Sequence, residues 1–347
     1  MNRKVARLAM ACGAATALFF AGCSAETETT GATDSSTTRT VTHEVGEATV
    51  PIEPTTLVAF DENAGIAALA AGLQPAIVYT SASDVGADAI LRGAGVELRE
   101  VGTVELPPLE EVDALEPDML LGTGPEGPTG LQFDKLSEIA PTVVLPITGD
   151  WRELTERNGE LLGADEERVA RQIEAIQKRL DEAGEKSDGR TLSLLGNTFG
   201  TMNFTMPPGA PSSTLIADAG FDRPEFQKRD AGTAWVDLSP ELIPEQDADL
   251  IVAPEGTYYT ADALFELPTA SSLTGTRIRT LGELWFVATP FSFFGTAVDL
   301  AAIAAGEDPT TVEGLPQVWD TFMSVSYTHL TLPTILRSCR SRWSPYH

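Results

Sequence analysis

Short apolar runs alternate with helix-like segments along the chain, and this alternation predicts an α/β fold. Residues 57–60 and 76–79 are short runs of apolar, strand-favouring residues. The Ala-rich stretch between them predicts a helix that ends at Gly72. Strands that alternate with helices form parallel sheets with helices on both faces. Further strands are predicted at 118–121, 143–145, 191–195, 250–252 and 285–287, and further helices at 109–115, 212–219 and 297–305.

A long helical pattern separates the first group of predicted strands from the second. It spans about residues 151–183, with a break expected near 163–165. Its second part has apolar residues at helical spacing and heavy charge on the other face, which is typical of a rigid connector packed along two lobes. The apolar residues are Val169, Ile173, Ile176 and Leu180. The sequence therefore predicts an N-terminal lobe at 41–150, a connecting helix at 151–185 and a C-terminal lobe at 186–324.

The two predicted lobes share a short internal echo. Glu110 precedes Asp118 by eight residues, Glu241 precedes Asp249 by eight, and apolar residues follow each Asp. Coincidence is the alternative, because acidic residues are common at helix starts. If the echo is real, each lobe carries the same helix, acidic start and strand. Two such α/β lobes leave a cleft at the carboxyl ends of their strands.

The first 23 residues have the layout of a bacterial export signal. Basic residues precede an apolar stretch at 8–20, which is too short to span a bilayer comfortably. Small residues then precede Cys23, as in a lipobox, although Phe20 stands where Leu is usual. We expect Cys23 to be lipidated; an ordinary signal peptide with an incidental Cys is the alternative. Residues 24–40, of which ten are Ser or Thr, are predicted to be a flexible tether.

The other end of the chain differs sharply from the rest. Residues 321–347 contain no Asp or Glu but hold three Arg and two of the three His. The run at 326–335 resembles translated sequencing-adapter read-through. We therefore expect residues 325–347 to be a non-native tail, and a genuine basic tail is the alternative.

The charge balance narrows the function. With 51 Asp+Glu against 23 Lys+Arg, the formal net charge is -28, so nucleic acid and anionic lipid surfaces are repelled. Three Cys cannot form a disulfide scaffold. The body contains only His43, so a Ser triad, a His-built metal site and a resident cofactor are not expected. A hydrolase that uses paired carboxylates stays open.

Several segments together resemble the iron-siderophore and cobalamin class of ABC-transporter substrate-binding proteins. The similarity covers nearly all of residues 45–320, and it rests on the order and spacing of the segments because no single motif is diagnostic. The matching segments are 50–54, 102–105, 109–118, 139–142, 151–153, 238–242 and 249–251.

This resemblance implies a fold, a function and partners. The fold would be two Rossmann-like lobes joined by one long α-helix, with a ligand cleft between the lobes. The protein would not be an enzyme; it would act as a monomer that captures a ferric siderophore, or cobalamin or haem instead, and delivers it to ABC permease subunits. Glu110 and Glu241 would dock onto the permease, although charge complementarity at a helix start is an alternative role for each. Lipid on Cys23 would hold the body at the outer face of the cytoplasmic membrane.

Ligand contacts are expected on the loops that follow strand ends. Aromatic side chains there would bury a chelate with little loss of entropy. Arg152 could hydrogen-bond the oxygens around the iron. Trp235 could instead anchor a packed loop, and Phe291 could belong to the core. The scarcity of Lys and Arg near these loops favours a neutral or cationic chelate over an anionic one. The candidate contacts are Phe60, Tyr79, Trp151, Arg152, Trp235, Tyr258, Tyr259 and Phe291.

Overall fold

The computed structural model describes residues 37–81, 85–102, 105–229 and 232–326. Cys23, the predicted signal at 1–23 and residues 327–347 lie outside the described residues. None of the described helices is long and apolar enough to cross a membrane.

An antiparallel hairpin opens the described chain. β1 (Thr38–His43) pairs with β2 (Gly46–Pro51), and alternation of polar and apolar residues buries Val41 and Val50. The guanidinium of Arg39 donates to two backbone carbonyls near the end of the helix at 151–162, so the hairpin packs against the body. Residues 38–40, predicted to be the end of the tether, therefore lie in a strand.

Five parallel strands form the sheet of the N-terminal lobe, in the order β5-β4-β3-β6-β7. Four of them were predicted from the apolar runs. Side chains alternate between the two faces, so Val58 contacts one layer of helices while Leu57 and Ala59 contact the other. The strands are β3 (Leu57–Ala59), β4 (Ile77–Thr80), β5 (Glu97–Glu100), β6 (Met119–Thr123) and β7 (Thr142–Leu145). The helices are α1 (Glu62–Ala71), α2 (Val85–Gly93), α3 (Leu109–Asp113), α4 (Pro128–Leu131) and α5 (Phe133–Ser137).

Two helices connect the lobes, with a break where the sequence predicted one. α6 (Trp151–Leu162) ends at Gly163, which has a left-handed φ of 72°. α7 (Glu166–Ser187) begins after Asp165, whose carboxylate accepts from the backbone N–H of Arg168. Ile176 and Leu180 of α7 are buried, as the helical spacing predicted.

The C-terminal lobe has a smaller parallel sheet and a small antiparallel one. The parallel order is β13-β12-β8, and β10 lies between β9 and β11 in the other sheet. The strands are β8 (Leu192–Leu194), β9 (Gly196–Thr198), β10 (Met202–Thr205), β11 (Val236–Leu238), β12 (Leu250–Glu255) and β13 (Thr276–Leu281). The α-helices are α8 (Pro211–Asp218), α9 (Ala261–Phe265), α10 (Gly282–Trp285), α11 (Pro290–Ala305) and α12 (Leu315–Ser326), and 3-10 helices span Glu225–Lys228, Pro240–Gln246 and Pro268–Ser272.

The predicted strand at 285–287 is wrong. Trp285 ends α10, and its ring is buried because α10 packs against α11. The third parallel strand is β13 instead, which lies at the sheet edge and carries Arg277 and Arg279. The search for apolar runs missed β13 because its arginines interrupt the apolar pattern. An edge strand does not need a continuous apolar run.

The last described helix returns to the N-terminal lobe. α12 packs against α2 and α7, and its Trp319 and Phe322 contact Phe291. The carbonyl of the buried Ser326 accepts from Arg171 of α7. The helix therefore extends two residues into the segment predicted to be a non-native tail.

The two lobes share a hydrogen-bonding pattern that agrees with the internal echo of the sequence. The Asp118 carboxylate accepts from the N–H and hydroxyl of Thr55 at 2.7 Å, just before β3. The Asp249 carboxylate accepts from the N–H and hydroxyl of Thr191 at 2.8 and 2.9 Å, just before β8. Each Asp precedes one parallel strand and fixes the start of its neighbour. Asp118 precedes β6 and fixes the start of β3, and Asp249 precedes β12 and fixes the start of β8.

Candidate functional site

The carboxyl ends of the two parallel sheets face each other. The hydroxyl of Tyr258, after β12, donates to Ser81 Oγ, after β4, at 2.9 Å. The Glu283 carboxylate, after β13, accepts from the backbone N–H of Ala87 in the first turn of α2 at 3.1 Å. Gly86 allows this approach, because a Cβ there would lie 2.6 Å from Glu283 Oε1. These contacts join the lobes where the sequence predicted a cleft.

Large apolar side chains are exposed on both rims of this cleft. Leu131, on α4 after β6, is 75% exposed, and Phe199, at the β9–β10 turn, is 67% exposed. Large exposed apolar groups that cluster on facing loops mark a binding surface. The full set on these segments is Val85, Leu131 and Ile147 in the N-terminal lobe and Phe199 and Met202 in the C-terminal lobe.

Phe199 begins the loop at 199–206, which the sequence predicted as a binding loop of the C-terminal lobe, although Phe199 was not among the candidate contacts. Its φ of 53° lies in the left-handed region, which costs a non-Gly residue about 1–2 kcal/mol. Its N–H donates to the Tyr258 carbonyl, and the two rings lie 5.9 Å apart. The signal for this loop is its position after the predicted strand at 191–195.

Three of the predicted ligand contacts belong to the C-terminal lobe at or near the cleft, namely Tyr258, Tyr259 and Trp235. Tyr258 lies in the cleft, beside Phe199. Tyr259 is half-buried, with its ring packed on Phe286 at 4.7 Å. Burial raises the pKa of its hydroxyl, so Tyr259 stays protonated at neutral pH. Trp235 is half exposed, beside the first residue of β11.

Three other predicted contacts have side chains that are buried in the core. Phe60 and Tyr79 stack at 6.0 Å in the core between the sheet and α3, where the Tyr79 hydroxyl donates to Glu111. Phe291 packs against α12. Position after or near a strand end is not enough, because the sheet face decides whether a side chain meets a helix or solvent.

The structure places Trp151 and Arg152 at the start of α6, against α7 and α8. Trp151 is fully buried, and its indole N–H donates to Asp218 of α8 at 2.9 Å. Arg152 stacks on the Trp151 ring at 4.4 Å, pairs with Asp218 at 3.1 Å and contacts Gln177 of α7. Both residues fasten α6 to α7 and α8. Arg152 lines a groove of about 1050 Å³ between α6 and α7, which is not at the strand ends.

Carboxylates gather at the strand ends of the cleft. Asp61 caps α1 and also accepts from the N–H of Thr123, and its burial raises its pKa to about 6. The buried Glu62 accepts from the Thr80 hydroxyl and from the N–H of Ser81. Burial also raises the pKa of Glu283. Across the described ranges, no group of three His, Cys, Asp or Glu side chains is placed to hold a metal ion.

The two predicted docking carboxylates are exposed. Glu110 lies on α3 and Glu241 in the 3-10 helix Pro240–Gln246. Hydrogen bonds from its own backbone N–H and from Ser239 lower the pKa of Glu241, so this residue is ionised at neutral pH. Each Glu precedes the strand-fastening Asp of its lobe.

A two-lobed α/β body with a helical connector and an apolar-rimmed cleft defines a ligand-binding protein of the periplasmic type. The chain belongs to the periplasmic binding protein family, whose sequence profile matches residues 59–277. This confirms the resemblance seen in the sequence.

Individual relatives agree with this assignment. The probable siderophore-binding lipoprotein YfiY of Bacillus subtilis (strain 168) is 27% identical over 240 residues, covering 66% of this chain and 72% of the relative. The petrobactin-binding protein YclQ from Bacillus subtilis has a TM-score of 0.61 at 17% identity, covering 76% of this chain and 98% of its own. Staphylococcus aureus SirA, solved with staphyloferrin B, has a TM-score of 0.59 at 19% identity, covering 76% and 97%. At identities this low, the two solved structures show only that the fold is shared.

Proposed function

We propose that this protein is the extracytoplasmic solute-binding component of an ABC importer and that it captures a ferric siderophore. The observation that carries the proposal is the cleft, where Tyr258 hydrogen-bonds Ser81 and large apolar side chains are exposed on the strand-end segments of both lobes. A siderophore supplies all the ligands of its iron, so the protein needs apolar surface and no metal-binding cluster of its own. The names of the relatives support this ligand class over cobalamin and haem.

Binding without turnover follows from the same proposal. The family consists of substrate-binding proteins, which gives no support to the carboxylate-dependent hydrolase. Asp61, for example, is used in holding β3, α1 and β6 together, since both its oxygens accept backbone N–H groups.

Ligand binding is tested by titration of the protein's intrinsic Trp fluorescence. The panel is a ferric hydroxamate, a ferric catecholate, haem and cobalamin, with circular dichroism to show that the protein is folded. We expect quenching by at least one ferric siderophore and about tenfold weaker binding after Phe199→Ala, because this ring supplies exposed contact area. Val312→Ala removes an exposed apolar side chain outside the strand-end loops and should leave affinity unchanged. Folded protein that responds to no member of the panel would refute the proposal.

Delivery would use one carboxylate on each lobe. Two observations support this role: Glu110 and Glu241 are both exposed, and each lies eight residues before an Asp that makes the same kind of contact in its lobe. We expect the double reversal Glu110→Lys and Glu241→Lys to abolish uptake and to leave ligand affinity intact. The control reverses Glu174 and Glu185, which are exposed on α7. A docking variant that loses ligand affinity as well would contradict this role.

Lipid on Cys23 would attach the protein to the membrane and would hold it at the outer face of the cytoplasmic membrane. The relative's description as a lipoprotein favours this arrangement. A Cys23→Ala variant should leave the membrane fraction, and one that remained there would disprove the anchor.

A further inference from the structure

The described segments at the strand ends of the cleft carry carboxylates but no basic side chains. Within the described residues, the segments between each parallel strand's carboxyl end and the next helix or strand contain no Lys or Arg. Carboxylates lie in these segments or at residues that adjoin the strand ends, and they occur in both lobes. Five of them are Asp61, Glu62, Glu105, Glu126 and Glu283.

Two guanidinium groups on strands of the parallel sheets are paired with carboxylates, and a third is enclosed in the C-terminal lobe. Arg99 of β5 pairs with Glu97 at 2.8 Å and with Glu111 at 3.5 Å. Arg279 of β13 pairs with two carboxylates, those of Glu255 and Asp262. Arg223 is buried inside the C-terminal lobe, where it donates to Ser213, to Gln227 and to the Met206 carbonyl. None of these groups is left to balance an anionic ligand.

A small cavity on the N-terminal side of the cleft is also lined by carboxylates. It has a volume of about 420 Å³ and lies beside the exposed Leu131. Glu105 and Glu126 are both exposed in its lining, together with Leu106, Pro128 and Gln132. An apolar wall with two carboxylates suits an aliphatic arm that ends in a positive group.

We propose that the cleft accepts ferric trihydroxamates of zero or positive net charge and discriminates against ferric tricatecholates. This inference rests on the proposed function. Three hydroxamates neutralise Fe³⁺, whereas three catecholates leave the chelate strongly anionic. Unbalanced carboxylates in a partly desolvated cleft repel the second and attract a positively charged form of the first.

The test varies ligand charge at a constant iron centre. The ligands are a linear ferric trihydroxamate with a terminal ammonium, its N-acetyl derivative and its N-succinyl derivative, with a ferric tricatecholate as the fourth. Affinity is measured by Trp fluorescence titration of the full chain at low and high salt. We expect the ammonium form to bind at least about tenfold more tightly than the succinyl form at low salt, with the difference shrinking at high salt.

A paired variant assigns the preference to the cavity. Glu105→Gln with Glu126→Gln should reduce the difference between the ammonium and succinyl forms at least about threefold. Glu174→Gln with Glu185→Gln makes the same change of net charge on α7 and should leave that difference unaltered. An equal effect of both pairs would show that only net charge matters and would overturn the assignment to the cleft.

The outcomes separate the two proposals. Tighter binding of the succinyl form or of the tricatecholate overturns the charge preference and leaves the siderophore function standing. Equal affinity across the trihydroxamate series also overturns it. Absence of binding to every chelate, from folded protein, refutes the proposed function and this inference together.

Discussion

Asp299 illustrates how one buried carboxylate shapes stability in this protein. It is fully buried in α11, accepts from the Trp285 indole N–H at 2.8 Å and accepts from the Thr310 N–H at 2.7 Å. Burial raises its pKa to about 6 because it disfavours the charged form, although these hydrogen bonds act in the opposite direction. Between the ordinary Asp pKa of 3.8 and the raised pKa of about 6, the folded state therefore keeps a proton that the unfolded state has released.

The sign of the pH effect follows from this raised pKa. Below the unfolded pKa of 3.8 the contribution of Asp299 to stability is complete, and it is lost as the pH rises through about 6. We expect the wild type to gain about 2 kcal/mol relative to Asp299→Asn between pH 7 and about pH 4.5, measured by urea unfolding of both proteins. A difference between the two proteins that does not change with pH would show that Asp299 titrates normally.

The matched Asp contacts are the clearest feature at the scale of elements. Each carboxylate satisfies a backbone N–H and a hydroxyl just before a parallel strand, so it fixes where that strand begins. Burial raises the pKa of Asp118, but hydrogen bonds from Thr55 and Thr56 outweigh burial and hold the pKa below its usual value. The backbone and hydroxyl hydrogen bonds from Thr191 do the same for Asp249. Both contributions are present above the ordinary Asp pKa and are lost as the pH falls through the lowered one.

Removing either carboxylate should destabilise its own lobe. We expect Asp249→Ala to cost about 1 kcal/mol and Asp118→Ala more, because Asp118 is less exposed and also accepts from the N–H of Thr56. Asp113→Ala, on the exposed side of α3, is the control. Urea unfolding gives the free energies, and an effect of Asp113→Ala as large as the others would argue against specific strand fastening.

The contact between the lobes is the decisive feature at the scale of the whole molecule. Glu283 and Ala87 are 196 residues apart, and Tyr258 and Ser81 are 177 apart, yet each pair forms a hydrogen bond across the cleft. Glu283 also places a carboxylate at the N-terminus of α2, where the helix dipole favours negative charge. The lobes are thus held together at the place where a ligand would enter.

Loss of the Glu283 contact should loosen α2 locally. In Glu283→Ala we expect amide hydrogen exchange at the start of α2 to rise several-fold, because the Ala87 N–H loses a charged acceptor. Glu255→Ala removes a carboxylate whose partner Arg279 lies in the same lobe, and exchange in α2 should not change. Equal protection of α2 in wild type and Glu283→Ala would mean that the contact does not hold the lobes together.

The sequence by itself determined the local features of the fold. Apolar runs of strand length, the break at Gly163 and Asp165, and the repeated Glu–Asp spacing depend on residues close together in the chain. Local periodicity and capping follow from backbone geometry, so these predictions needed no knowledge of distant contacts.

Only the tertiary structure decided which aromatic side chains face the cleft. Trp151 begins α6 and Trp235 immediately precedes β11, so the two have similar positions in the sequence pattern. Trp151 is nevertheless buried against α8, while Trp235 is half exposed. β13 became a strand because β12 pairs with it, despite its arginines. Exposure and pairing depend on the elements that pack nearby, and those elements come from positions far along the chain, which is why the sequence pattern could place the cleft but not its lining.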